Sequence, residues 1–131
     1  MLYTGLKHIE SADEHAQILS ENENVMVVCG RMGPMCIPVY NIAEELEKDY
    51  KHVKFCDMEF DNPESNVIRS LPEVRSFMGI PFTIYYKNGK VVKATSSIQN
   101  KAQVTSILNE NFAVNASSDG NRQSSGTKAL S

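Results

Sequence analysis

No run in this chain comes near the roughly 18 apolar residues that a membrane-spanning helix needs, and Met1-Leu2-Tyr3-Thr4-Gly5 has neither the basic start nor the apolar core of a secretion signal. A cytoplasmic protein with no membrane partner is the expectation. Lysine and arginine number 13 against 16 acids, are scattered rather than clustered, and leave a formal net charge of −3. A polyanion would meet no basic stripe, so nucleic acid is not the expected partner. There are only three cysteines. An odd number does not build a secreted disulfide framework and fits a reducing compartment, where a disulfide is transient and functional. No Cys-x-x-Cys or helix-face histidine pair is present, so a zinc site drawn from Cys29, Cys36, His8 or His52 lacks the usual spacing. No metal or other cofactor is expected. Serine-histidine-aspartate and paired-carboxylate motifs are also missing, and Glu44, Glu45, Glu47 and Asp49 read as a solvated helix face. There is no internal repeat. At 131 residues with 41% hydrophobic content, the chain has material for one core, and a monomer is the simplest expectation.

What is present alternates between strand and helix signals. Ser11-Ala12-Asp13-Glu14 has capping-box spacing, and Ala16, Ile18 and Leu19 supply an apolar face, predicting a first helix that ends at Asn22-Glu23-Asn24. Val25-Met26-Val27-Val28-Cys29 is continuously apolar, as in a strand covered on both faces. Ile42, Ala43, Leu46 and Tyr50 then recur at helical spacing. Pro34 suits the first turn of that helix, but Pro38 does not suit its interior, so the sequence predicts either a kink or a late start. His52 to Phe60 alternates as a strand, and Asn66 to Met78 has helical period through Val67, Ile68, Leu71, Val74 and Phe77, interrupted by Pro72. Phe82 to Tyr86, Lys87-Asn88-Gly89-Lys90 and Val91 to Thr95 make a hairpin signal, since Asn-Gly accepts the positive φ angles of a tight turn. Ala102, Val104, Ile107, Leu108 and Phe112 predict a closing helix. A single domain over residues 1–112 follows. Residues 113–131, poor in apolar side chains, are expected to be a disordered tail, and the glycosylation match at Asn115 is expected to be accidental.

The chemistry concentrates at Gly33-Pro34-Met35-Cys36, between the core strand and its helix. A thiol at a helix start meets unpaired N–H groups and the positive end of the macrodipole, so a lowered pKa is expected for Cys36. Cys29, on the same strand-loop-helix connection, is either its disulfide partner or a buried structural residue, and Cys56 reads as core. Met32 and Met35 flank the loop and suit either packing or the adaptable binding of peptides.

Two segments carry a family resemblance: Met32-Gly33-Pro34-Met35-Cys36, and Gly79-Ile80-Pro81-Phe82 with the following Thr83-Ile84-Tyr85-Tyr86-Lys87-Asn88-Gly89-Lys90. Together they resemble the thioredoxin family, whose Trp-Cys-Gly-Pro-Cys lies between a core strand and a helix and whose downstream Gly-Ile-Pro-Thr carries a cis-proline. The resemblance covers roughly Gly5 to Phe112. It implies an α/β fold with a mixed sheet flanked by helices, in the order strand, helix, strand, helix, strand, helix, hairpin, helix, with Leu2 to Lys7 as the first strand. It also implies thiol-disulfide exchange through Cys36, with Cys29 as a candidate pair: aligned through Ile42, Leu46 and Tyr50, Cys36 falls on the family's second cysteine, whereas a slipped alignment sets Met32-Gly33-Pro34-Met35 over Cys-Gly-Pro-Cys and loses both cysteines. A cis Pro81 would face the 33–36 loop, and Met32, Gly33, Pro34, Met35, Ile80 and Pro81 would hold the substrate. Partners would be cysteine-containing proteins or peptides and an electron donor of the thioredoxin-reductase type. The chain departs from the family in having Gly33 where the nucleophilic cysteine would stand and no acid within Val25–Val28. A noncatalytic peptide-binding module is the alternative.

Overall fold

The computed structural model describes residues 2–113, so the tail expectation and Asn115 lie outside the described residues, apart from Ala113. The strands are β1 (Lys7–Ile9), β2 (Asn24–Gly30), β3 (Lys54–Glu59), β4 (Phe82–Lys87) and β5 (Lys90–Ser96); the helices are α1 (Ala12–Glu21), α2 (Ile37–Glu47), α3 (Asn66–Arg69) and α4 (Lys101–Asn111). The strands form one mixed sheet in the order β1-β3-β2-β4-β5. Both neighbours of β3 are parallel to it, whereas β4 runs antiparallel to β2 and β5. β2 is therefore central, which is why every residue from Val25 to Gly30 is buried.

Two cores lie on opposite faces of this sheet, because alternate side chains of a strand point to opposite sides. On one face, Met26, Val28, Phe55 and Tyr85 pack with Val39, Tyr40, Ala43 and Leu46 of α2 and Val104, Ile107 and Leu108 of α4. On the other, Val25, Val27, Cys29, Cys56, Met58 and Ile84 pack with Ile18 of α1 and Ile68 of α3. Asn88 and Gly89 both have positive φ, 52° and 79°, as the hairpin signal requires.

Several expectations are corrected. The first strand is Lys7–Ile9 rather than Leu2 to Lys7; Leu2 and Leu6 instead bury their side chains in the α2/α4 core. In α1 the buried positions are His15 and Ile18, while Ala16 is exposed. His15 is accepted inside because its Nε2 lies 3.1 Å from the Tyr86 hydroxyl, and burial lowers its pKa. The capping box is half formed: Ser11 Oγ accepts from the Glu14 N–H, but Glu14 accepts from the Glu10 N–H rather than that of Ser11. The helix expected over 66–78 stops at Arg69, three residues before Pro72, and the chain continues through turns bonded Val74 N–H to Leu71 and Phe77 N–H to Val74. Pro72 disfavours helical backbone at Leu71 and cannot itself donate a helical bond. The apolar period of 67, 68, 71, 74 and 77 comes from successive turns against the same core.

Candidate functional site

The site lies at the C-terminal end of β2. Of the two readings of Pro38, the structure has the late start: residues 33–36 form a turn in which the Cys36 and Ile37 N–H groups both donate to the Gly33 carbonyl, at 3.0 and 2.9 Å. Cys36 is then the N-cap of α2 and Pro38 falls in its first turn, where a missing N–H costs no helical bond.

Three groups converge over Gly30. A Cβ built there would stand 2.8 Å from Cys36 Sγ, 2.9 Å from the Tyr40 hydroxyl and 3.1 Å from Pro81 Cβ. The thiol, a phenol and the proline thus share one small volume that opens only because residue 30 has no side chain. The Ile80–Pro81 peptide bond is cis, and Pro81 lies against the Cys36 end of the loop as the resemblance implies. Tyr40 donates its hydroxyl hydrogen to the Arg31 carbonyl at 3.1 Å, and the Arg31 N–H points to Cys36 Sγ at 3.4 Å. The Arg31 guanidinium makes a bidentate pair with Asp61, at 2.8 and 2.9 Å, and lies 5.1 Å from the centre of the Phe60 ring. These contacts fix the loop from the β3 side.

The electrostatics differ from the expected lowered thiol pKa. Cys36 is 2% exposed, and burial pushes its thiol pKa up, against the opposing pull of the Arg31 N–H and guanidinium. Cys29 is pushed up to about 12, chiefly by burial, with a further rise from the charge of Cys36. All three cysteines are free thiols. Cys29 and Cys36 belong to cores on opposite faces of the sheet, so the structure does not bring them into one cluster. Cys56, also pushed up to about 12 by burial, shares the Cys29 face.

The other expected residues form the surface around the thiol. Met32 and Met35 are exposed, Pro34 is exposed, and nothing lies within 4 Å of a Cβ added to Gly33, so the loop is open on its outer side. Ile80 is half-buried and touches both cores. Sequence reasoning missed Gly30 and Tyr40, which fix the thiol's surroundings.

It also missed Asp57. This side chain is fully buried in β3 and accepts hydrogen bonds from Thr4 and, at 2.6 Å, from His8 Nδ1, beside a cavity of about 340 Å³ that His8, Glu10 and Glu59 also line. Burial, the largest cause, raises the Asp57 pKa above its ordinary value, with the hydrogen bonds opposing it. The folded state therefore holds this proton more tightly than the unfolded chain. That stability is present below the ordinary carboxylate pKa and is lost as pH rises through the raised value. Asp57→Asn is expected to stabilise the protein at neutral pH, by roughly 1.4 kcal/mol for each unit of upward shift, with the gain vanishing below about pH 4. Urea midpoints at the two pH values check it; a variant that loses more stability at neutral pH than below about pH 4 would mean that the carboxylate's hydrogen bonds outweigh its burial.

No protein-family model matches the chain, and no curated protein does. Solved structures do. Thioredoxin from Plasmodium falciparum superposes with a TM-score of 0.68 at 25% identity, covering 81% of this chain and 99% of that one. The chain has the thioredoxin fold. Thioredoxin f2 from Chlamydomonas reinhardtii gives a TM-score of 0.69 at 14% identity over 84% of this chain and 99% of its own. Oxidised thioredoxin O2 from Arabidopsis thaliana gives 0.67 at 16% over 85% and 97%. The thioredoxin-like chain thus spans essentially the whole of these domains, as its resemblance to the family implies.

Proposed function

We propose that this thioredoxin-like protein exchanges disulfides with cysteine-containing proteins or peptides through Cys36. The observation that carries the reading is the convergence of Cys36 Sγ, the Tyr40 hydroxyl and cis-Pro81 over Gly30. In the forward step the Cys36 thiolate attacks one sulfur of a partner disulfide. The old S–S bond breaks, its other sulfur leaves as a thiolate, and a mixed disulfide remains. With Cys29 in the opposite core, release falls to an external dithiol: its first thiolate attacks the Cys36 sulfur and expels the partner's second sulfur as a thiolate, and its second thiolate then displaces Cys36 as a thiolate, leaving the dithiol as a disulfide. The Pro81 carbonyl already accepts from the Ser97 N–H at 2.9 Å, so an extended partner segment pairs at Ile80, with Met32, Gly33, Pro34 and Met35 on its other side.

One observation favours a second reading, a binding module without chemistry: the thiol is buried and its pKa is raised. The two separate in one assay. With dithiothreitol as electron source and insulin as disulfide substrate, Cys36→Ser is expected to fall to the rate of dithiothreitol alone, while Cys56→Ser keeps the wild-type rate. A wild type no faster than dithiothreitol, with Cys36 resisting alkylation until the protein unfolds, would establish the binding module.

A further inference from the structure

Methionine is unevenly placed in this fold. Of the five in the described residues, Met26 and Met58 are fully buried in the sheet, whereas Met32, Met35 and Met78 are 38%, 43% and 99% exposed. The three exposed ones all lie on the two segments that flank the thiol, the 31–36 loop and the approach to Pro81. Both segments are at the same end of the sheet, since Cys29 of β2 pairs with Phe82 of β4. Ile37, at the start of α2, is also exposed there. An apolar surface built from thioethers is adaptable, but unlike one of leucines it is open to oxidation.

We propose that Met35 and Met78, and more slowly Met32, are oxidised by hydrogen peroxide, and that their sulfoxides switch off the docking surface around Cys36. This rests on the docking reading above. In each step the thioether sulfur attacks one peroxide oxygen and the O–O bond breaks. The sulfur gains that oxygen and loses two electrons, and the other oxygen leaves as water with both hydrogens. A flexible apolar side chain becomes polar and chiral. Covering it with a partner then costs the desolvation of an S=O group in place of the gain from burying a thioether. Met32 lags because it is the least exposed of the three and its sulfur already accepts the Tyr3 N–H at 3.4 Å. The change is reversible in principle by methionine sulfoxide reduction but not by thiols, so it acts independently of the state of Cys36.

The experiment treats the full chain with hydrogen peroxide and then with dithiothreitol, which reverses disulfide and sulfenic acid formation at the cysteines and leaves methionine sulfoxide in place. Peptide mass mapping gives the order of oxygen uptake. Insulin reduction and binding of a dye-labelled insulin chain to the Cys36→Ser protein give the functional effect. Oxygen is expected at Met78 and Met35 first, Met32 next, and Met26 and Met58 last, with binding weakened about tenfold. The triple variant Met32→Leu, Met35→Leu, Met78→Leu, whatever its own starting affinity, should bind equally before and after peroxide. Uptake without selectivity, full binding by the oxidised protein, or equal loss in the leucine variant would overturn the switch. Absent insulin reduction with peroxide-sensitive binding would overturn the exchange chemistry alone, and absent binding before treatment would overturn both.

Discussion

Phe112→Ala is expected to cost about 3–5 kcal/mol, the range for emptying a buried phenylalanine site, and so a large share of the roughly 5–15 kcal/mol that holds a domain of this size together. Phe112 is 1% exposed, its ring lies 6.3 Å from that of Tyr85, and its N–H closes α4 by donating to the Leu108 carbonyl at 2.8 Å. Its own carbonyl lies 2.5 Å from His52 Nε2. The backbone bonds survive truncation of the side chain, so the loss isolates the packing of the ring between the closing helix and β4. Phe112→Leu, which refills most of the volume, should recover more than half of it. Urea denaturation of the three proteins measures this. A loss below about 1 kcal/mol for Phe112→Ala would mean that the end of α4 is not docked.

Gly30→Ala is the second large effect. Added methylene volume in a packed core costs about 1–3 kcal/mol, and here the new methyl meets Cys36 Sγ, the Tyr40 hydroxyl and Pro81 at 3.1 Å or less. Tyr40→Phe on its own removes the hydrogen bond to the Arg31 carbonyl, worth about 1 kcal/mol, but it also removes one of the three colliding atoms. The double variant should therefore be more stable than the sum of the two losses requires, by about 0.5 kcal/mol or more. Strict additivity in denaturation midpoints would show that the hydroxyl does not share the space over Gly30. Alkylation of Cys36 should quicken in Gly30→Ala, because the sulfur is the group with an open loop to move into.

Much of the fold was legible because its signals are local. The hairpin needs only Asn88-Gly89 between two β-branched runs, and β2 needs only an unbroken apolar stretch. For α2, where a proline can stand narrowed the choice to a kink or a late start, and the structure has the late start. The third helix is present but short, ending at Arg69, for a reason periodicity cannot detect: Val67, Ile68, Leu71, Val74 and Phe77 all face inward, yet turns as well as a helix repeat near three to four residues. His15 was hidden behind the convention that an apolar stripe is made of apolar residues, when a buried imidazole with a hydroxyl partner serves equally. At the site, the loop stood out by its place between the core strand and its helix, and Pro81 through the resemblance that its segment carries. Gly30, Tyr40 and Asp57 did not, since each acquires its role only when strands and helices distant in sequence are brought together. The expected fall in the Cys36 pKa rested on the helix start alone, and burial, a tertiary property, has the larger say.

The central position of β2 has a consequence during synthesis. Its neighbours in the sheet are β3, which ends at Glu59, and β4, which ends at Lys87. A chain that leaves the ribosome N-terminus first must therefore present Val25 to Gly30, uncharged and destined for full burial, before either neighbour exists. Such a segment is the kind that pairs with copies of itself. Glu23 and Arg31 bracket it at either end, and charges in those positions discourage strand-to-strand association between nascent chains. They act in that capacity before Lys87 and Asp61, their partners in the finished protein, have been made.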